Sequence, residues 1–240
     1  MASIDFKHTP YGDLALISMR GCEDIASQVD YYLKQWRGIP EDESFVITAN
    51  CPRFGTGEAK AVLKHTARGL DAYIICDCFN YSVTYKMYGQ TVPMSPDDHY
   101  QDLKRIIAAL GGKARRITVI MPMLYEGRQH RRTARESMDC AMALQELVAM
   151  GVKNIVTFDA HDPRVNNAIP LDGFDNVQAA YQMIKALLKT VPDIKLDRDH
   201  TMIVSPDEGG MGRCIYYSSV LGLELGMFYK RRNYSVIVNG

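Results

Sequence analysis

The stretch "RITVIMP" at residues 116–122 decides the fold class, because its apolar residues run almost without interruption. A run of this kind is typical of a strand in a parallel sheet, where helices cover both faces. Similar short apolar runs recur along the chain, at 14–19, 44–49, 72–77, 154–159, 200–204 and 224–230, with further extended segments at 59–64 and 235–240.

Segments with helical spacing of apolar residues separate these runs, at 23–36, 99–110, 137–150, 176–189 and 209–222. Several of them end at glycine, which favours a helix C-terminus. Strands that alternate with helices predict an α/β fold with mainly parallel sheets. A length of 240 residues allows one large domain or two small ones.

The composition indicates which classes of partner and which cellular compartment to expect. With 28 basic and 28 acidic residues the net charge is zero, so overall charge does not suggest nucleic acid, and we expect no such partner. No run reaches the roughly 20 apolar residues of a membrane span, and we expect no membrane association. The six cysteines are scattered without a zinc-binding pattern, which, with no signal peptide, predicts reduced thiols in a cytoplasmic protein.

Loops at the carboxyl ends of parallel strands collect function in this fold class. Four such loops carry unusual chemistry, at 52–58, 124–132, 159–164 and 205–210, and a polar segment "KRRN" follows at 230–233. The sequence has no G-x-S-x-G or H-E-x-x-H motif and no Rossmann fingerprint after its first strand, so hydrolase, zincin and classical dinucleotide functions lack support.

Asp159 and His161 stand two residues apart at a strand end, so their side chains can face one ion or phosphate. The alternative is a hydrogen-bonded loop in which the aspartate caps a turn. The neighbouring motif "GRQHRRTAR" supplies four arginines within eight residues, and paired guanidinium groups bind phosphate oxygens. A solvated basic helix start is the alternative there.

The remaining motifs also leave two interpretations open. "RFGTGE" at 53–58 is either part of a ligand loop or a tight hairpin turn. "KRRN" either closes on a phosphate-rich substrate or protects a sheet edge with charge. In "VSPDEGGMGR" the carboxylates of Asp207 and Glu208 sit beside a glycine-rich turn, where they would repel a bare phosphate.

These segments, in this order, resemble the ribose-phosphate pyrophosphokinase family, also called phosphoribosyl pyrophosphate synthetases. The matching blocks are "RFGTGE", "ARRITVIMPMLYEGRQHRR", "VKNIVTFDAH", "IVSPDEGGMGR" and "YKRR". The resemblance implies transfer of the diphosphoryl group of ATP to ribose 5-phosphate, giving AMP and 5-phosphoribosyl 1-pyrophosphate, with Mg2+. It also implies a homo-oligomer with shared active sites and two phosphoribosyltransferase-like domains, which we place at 1–165 and 166–240, the second incomplete at its C-terminus.

The resemblance assigns nucleotide-binding roles to four residues. Phe54 and Glu58 match the family's adenine-binding loop, which reaches ATP from the neighbouring subunit. Arg128 and Gln129 match its ATP-binding Arg-Gln pair.

Five further residues match the positions that serve metal, sugar and transfer. Asp159 and His161 match the segment that contacts Mg2+ and the ATP phosphates. Asp207 matches the turn that serves the ribose phosphate and its metal. Lys230 and Arg232 match the flexible loop that, with His161, acts on the transferring diphosphoryl group.

The sequence departs from the family pattern at four places, of which the mildest is Ala160 in place of leucine between Asp159 and His161. Thr56 and His130 stand where the family usually carries acids, and the sequence given ends at Gly240, before the family's acidic, threonine-containing ribose 5-phosphate loop. The departures leave two alternatives: a non-catalytic, synthetase-like protein that regulates or binds nucleotide, and an unrelated α/β nucleotide-binding protein.

Overall fold

A computed structural model describes residues 12–229, whose contacts form two compact units that divide between Gln178 and Ala179. The two domains expected at 1–165 and 166–240 stay a prediction. The unit boundary lies further along because residues 173–177 form a strand that pairs with the sheet of the first unit. No helix in the described part of the chain is long and apolar enough to cross a membrane.

The first unit is built on a seven-stranded sheet. Its strands are Leu14–Ser18 (β1), Val46–Asn50 (β2), Val62–Leu63 (β3), Asp71–Ile75 (β4), Arg116–Met121 (β7), Asn154–Phe158 (β8) and Gly173–Val177 (β9). Their order in the sheet is β3-β2-β1-β4-β7-β8-β9, and all neighbouring strands are parallel except β2 and β3. The α/β architecture with a mainly parallel sheet is therefore confirmed.

The first unit also contains three α-helices, which are Glu23–Arg37 (α1), Pro96–Leu110 (α2) and Asp139–Ala149 (α3). Helix α2 begins with a capping box, in which the side chains of Ser95 and Asp98 each accept from the other's backbone N–H. It ends at Gly111 in the left-handed conformation (φ 58°). Apolar residues of the central strands and of the helices form one core, including Ile17, Ile74, Val119, Leu103 and Leu147.

A β-hairpin that the sequence analysis did not predict lies between β4 and α2. Its strands are Thr84–Met87 (β5) and Gln90–Pro93 (β6), which pair antiparallel. Tyr88 and Gly89 form the two-residue turn, and both have positive φ, 49° and 81°. Two such residues match a type I′ turn, whose twist suits a hairpin.

The second unit contains two helices, Ala180–Thr190 (α4) and Met211–Leu221 (α5), and the parallel strands Met202–Ser205 (β10) and Glu224–Met227 (β11). The helix predicted at 176–189 was wrong at its start, because residues 176 and 177 belong to β9. The strand was missed because its apolar residues, Phe174 and Val177, are three positions apart, so the segment lacks the strict alternation of apolar and polar residues that predicts a strand. The strand predicted at 235–240 lies outside the described residues.

Candidate active site

The carboxyl ends of β2, β1, β4, β7 and β8 lie along one edge of the first sheet, since these strands are parallel and adjacent. From β1 the chain first adds β2 on one side of β1 and later adds β4 and β7 on its other side, so the strand order reverses between β1 and β4. In open α/β sheets, ligands bind at the carboxyl edge near such a reversal of strand order. This edge carries the loops at 52–58, 124–132 and 159–164.

At the reversal itself, the loops after β1 and β4 pack tightly on each other. The side-chain amide of Asn80 donates to the carbonyl of Gly21 (3.1 Å), and the N–H of Asp77 donates to the sulfur of Cys22 (3.1 Å). A Cβ at Gly21 would lie 2.7 Å from the Asn80 amide nitrogen. These contacts hold the loop after β1 against the loop after β4.

The loops after β7 and β8 meet through two histidines. The ring centroids of His130 and His161 are 5.2 Å apart, with an interplanar angle of 64°. His130 Nδ1 also lies 3.3 Å from a carboxylate oxygen of Asp162. Arg164 also binds that carboxylate, donating from Nε to one oxygen (2.9 Å) and from Nη2 to the oxygen near His130 (2.6 Å). The structure thus brings the arginine-rich loop and the Asp159–His161 segment together.

The charges in this cluster bias its protonation. The hydrogen bonds from Arg164, with a smaller contribution from His130, hold the pKa of Asp162 well below its usual range. Burial lowers the pKa of His130, against the opposing effect of Asp162. At neutral pH the cluster therefore combines an ionised Asp162 with a predominantly neutral His130.

Strand β9 fixes the backbone that carries Asp159 and His161. Asp159 has a positive φ of 43°, which few residues other than glycine adopt. Its N–H donates to the carbonyl of Val177 (3.0 Å), and the N–H of Ala160 donates to the side chain of Asn176 (2.9 Å). His161 is exposed at the surface of this turn.

Arg128 and Gln129 follow β7 on the same edge. The Gln129 side chain donates to the carbonyl of Ser137 (2.7 Å), and its N–H donates to the carbonyl of Glu126 (2.8 Å). Gln129 therefore shapes the loop, whereas the Arg128 side chain is exposed.

Phe54 and Glu58 lie in a hairpin turn after β2, the alternative that the sequence left open for "RFGTGE". The N–H of Phe54 donates to the carbonyl of Glu58 (2.7 Å), and Arg53 pairs antiparallel with Ala59. The hydroxyl of Thr56 donates to the Glu58 carboxylate (3.0 Å). Three strand spacings, about 14 Å, separate β2 from β7, so this hairpin does not join the His130–His161 cluster.

Asp207 belongs to the second unit, where its side chain caps a 3-10 turn. Its carboxylate accepts from the N–H of Gly210 (3.0 Å), and the hydroxyl of Ser205 donates to its carbonyl (2.6 Å). Lys230 and Arg232, the two expected transfer residues, lie outside the described residues.

The donor atoms at the carboxyl edge fit a partly coordinated Mg2+. Among residues 12–229, no three His, Cys, Asp or Glu side chains cluster closely enough to hold a metal by themselves. Mg2+ commonly takes one or two protein ligands and completes its octahedron with waters and substrate phosphates. The carboxylate of Asp159 and the imidazole of His161 could supply at most two such ligands.

Sequence reasoning missed Arg53 as a packing residue of the 53–59 hairpin, and it missed Asp162 and Arg164 as parts of the His130–His161 cluster. The signal for the last two was present in "DPR" at 162–164, where an acid and an arginine flank a proline at a turn. Arg53 was quoted within its motif, but only the structure reveals its contacts across the chain.

Comparison with known proteins agrees with this fold. A solved phosphoribosylpyrophosphate synthetase from Mycobacterium smegmatis matches with a TM-score of 0.71 and 22% identity, over 92% of this chain and 65% of that one. The first unit therefore has the α/β fold of that class. The family model for the N-terminal domain of ribose phosphate pyrophosphokinase matches residues 14–151, more than half of the sequence, and the chain belongs to this family.

Curated relatives named ribose-phosphate pyrophosphokinase support this membership. The protein of Ralstonia nicotianae is 27% identical over 75% of this chain and 51% of its own length. Ribose-phosphate pyrophosphokinase A of Dictyostelium discoideum is 26% identical over 80% of this chain and 55% of its own. The chain thus spans about half the length of these relatives.

Proposed function

We propose that this chain acts as a ribose-phosphate pyrophosphokinase, which transfers the diphosphoryl group of ATP to ribose 5-phosphate and releases AMP. Family membership supports the reaction class. The observation that carries the proposal is the contact between His130 and His161. It sets an arginine-rich loop beside a carboxylate and an imidazole, and guanidinium groups and carboxylates can bind phosphate oxygens and a metal ion, respectively.

The nucleotide phosphates are assigned to the loop after β7. Arg128, Arg131 and Arg132 are all exposed on this loop. Guanidinium groups can pair with phosphate oxygens through two parallel hydrogen bonds, which orients the triphosphate as well as neutralising it. Gln129 contributes by holding the loop through its bond to Ser137.

Asp159 and His161 would hold Mg2+ together with the nucleotide phosphates, and Asp207 would serve the ribose phosphate. When bound, the ion offsets phosphate charge and stabilises the leaving group. The positive φ of Asp159 and its bond to β9 keep these two side chains at the edge of the sheet before the ligand arrives.

In the proposed transfer, the anomeric hydroxyl oxygen of the sugar attacks the β-phosphorus of ATP. The bond from that phosphorus to the oxygen it shares with the α-phosphate breaks, AMP leaves, and the hydroxyl proton is lost to solvent. Lys230 and Arg232 are assigned to the charge that develops on the moving group, and His161 supports them. Such catalysis consists mainly of positioning and electrostatic stabilisation.

The proposal includes a cytoplasmic homo-oligomer with shared sites. Phe54 and Glu58 lie about three strand spacings from β7. Binding of adenine by the same hairpin from a neighbouring subunit would explain this separation. The non-catalytic alternative rests on Thr56 and His130, which stand where the family usually carries acids. The relatives named ribose-phosphate pyrophosphokinase favour the enzyme instead.

The test is release of AMP from ATP and Mg2+ by the purified chain, with and without ribose 5-phosphate. We expect AMP only when the sugar is present. Equal AMP release without the sugar, or none with it, would refute the proposed reaction. A sample that binds ATP but forms no AMP would support the regulatory alternative.

A further inference from the structure

The unpredicted β5–β6 hairpin packs directly against the hairpin turn that carries Phe54 and Glu58. The N–H of Tyr88, at the tip of β5–β6, donates to the carbonyl of Gly55 (2.9 Å). Gly57 adopts a φ of +94°, and a Cβ there would lie 3.0 Å from the sulfur of Met87. The two hairpins therefore touch along their tips.

Arg53 links these two hairpins to helix α2. Its Nη1 donates to the carbonyl of Gly57 (3.0 Å), which closes the 53–59 turn from inside. Its Nη2 donates to the carboxylate of Asp102 on α2 (2.9 Å). The guanidinium carbon lies 4.3 Å from the ring centroid of Tyr85 on β5, within cation–π range.

Burial makes this arrangement specific. The side chains of Arg53 and Asp102 are only 9% and 7% exposed, so water cannot replace lost partners at low cost. Arg105 donates to the other oxygen of Asp102 (2.6 Å). Among residues 12–229, no hydrogen bond or ion pair described for Arg105 reaches either hairpin. The base of β5–β6 is itself anchored, because Val83 and Met94 are buried and the N–H of Met94 donates to the carbonyl of Val83 (2.8 Å).

We infer that Arg53 positions the hairpin turn that binds the adenine end of the nucleotide. The β5–β6 hairpin in turn holds the Arg53 side chain in place through Tyr85. The inference rests on the proposed function, which assigns adenine to Phe54 and Glu58. A planar guanidinium can reach Gly57, Asp102 and the Tyr85 ring together, whereas a lysine ammonium lacks both the fork and the flat face.

The test measures the dissociation constants of the full chain for Mg-ATP and for Mg-tripolyphosphate, which lacks the adenosine. The variants are Arg53→Lys and Tyr85→Leu. Their matched controls are Arg105→Lys, which keeps a cation on Asp102, and Tyr85→Phe, which keeps the aromatic ring. Hydrogen exchange of the Gly57 and Tyr88 amides reports whether the two hairpins stay closed.

We expect Arg53→Lys and Tyr85→Leu to weaken Mg-ATP binding about tenfold and to speed exchange at both amides, with tripolyphosphate binding unchanged. Both controls should bind Mg-ATP like the unaltered chain. Equal effects of Arg53→Lys and Arg105→Lys, or unaltered ATP binding in Arg53→Lys, would overturn the inference about Arg53 and leave the proposed function standing. If the unaltered chain binds no Mg-ATP, the proposed function fails and the inference fails with it.

Discussion

The ring of His161 lies 5.2 Å from the ring of His130, edge to face, although the two histidines follow different strands. The contact exists because β7 and β8 are parallel neighbours, so the loops that leave them start at the same edge of the sheet. His130 stands where the resemblance leads us to expect an acid. The carboxylate of Asp162, with an oxygen 3.3 Å from His130 Nδ1, lies close to that position.

Replacing His161 with alanine should lower turnover about 100-fold, because the variant loses a group that the proposed function assigns to the phosphates where charge develops. Folding should be preserved, since His161 is exposed. The measurement is kcat for sugar-dependent AMP release beside the thermal midpoint. His65→Ala, which alters an exposed histidine away from the cluster, is the control, and an unchanged kcat in His161→Ala would remove this residue from the site.

Replacing Lys230 with alanine should lower kcat while leaving ATP affinity nearly unchanged. A cation that acts mainly on the transition state affects turnover rather than ground-state binding. Calorimetric titration with Mg-ATP and steady-state rates separate the two effects. A large loss of ATP affinity at unaltered kcat would contradict the assigned role.

Replacing Arg116 with methionine should destabilise the first unit by roughly 3 kcal/mol, because it leaves a buried carboxylate without its cation. Arg116 Nε donates to Asp71 (2.8 Å), whose side chain is 3% exposed. The free energy of unfolding in urea is the measurement. Arg198→Met, which alters an exposed pair with Glu224, should cost under about 1 kcal/mol.

The Arg116 prediction also separates stability from function. Arg116 begins β7 and therefore lies at the edge of the sheet opposite the candidate site. Below the unfolding transition, Arg116→Met should bind Mg-ATP like the unaltered chain. Similar stability losses in Arg116→Met and Arg198→Met would show that burial of Asp71 does not set the cost.

Stability should fall as pH rises from 8 to 11 in the presence of a reductant. Burial raises the pKa of Cys22 and of Cys140 to about 11, and that of Cys51 to about 12. Unfolded thiols ionise near pH 9, so above that pH the unfolded state binds fewer protons than the folded state and gains in relative stability.

The urea midpoint measured at pH 8 and at pH 10 tests this dependence. A variant with Cys22, Cys51 and Cys140 replaced by alanine should show a smaller decrease over the same interval. An equal decrease in both proteins would assign the pH dependence to other groups.

Much of the fold was predictable because its strands are continuous apolar runs. The runs at 116–122 and 154–159 became β7 and β8 within a residue or two at their ends. The β5–β6 hairpin was missed because its strands mix aromatic, charged and polar residues, and their burial depends on a distant turn. Tyr88-Gly89 between two extended segments was the signal available.

The site was predictable as a set of loops but not as a geometry. The motifs left phosphate or metal binding and a purely structural role both open, and the carboxyl edge of a parallel sheet was the expected place for a ligand. The pairing of His130 with His161 depends on strand order, which periodicity does not determine. The contacts of Arg53 with Tyr85 and Asp102 depend on the packing of a hairpin against α2, which no local pattern encodes.

The proposed reaction is tested by 31P NMR while the chain is incubated with ATP, Mg2+ and ribose 5-phosphate. We expect the ATP signals to be replaced in equal amounts by AMP and by a diphosphate attached to the anomeric carbon of the sugar. Appearance of ADP with a single new phosphate ester, or of free diphosphate without a sugar-bound product, would contradict it.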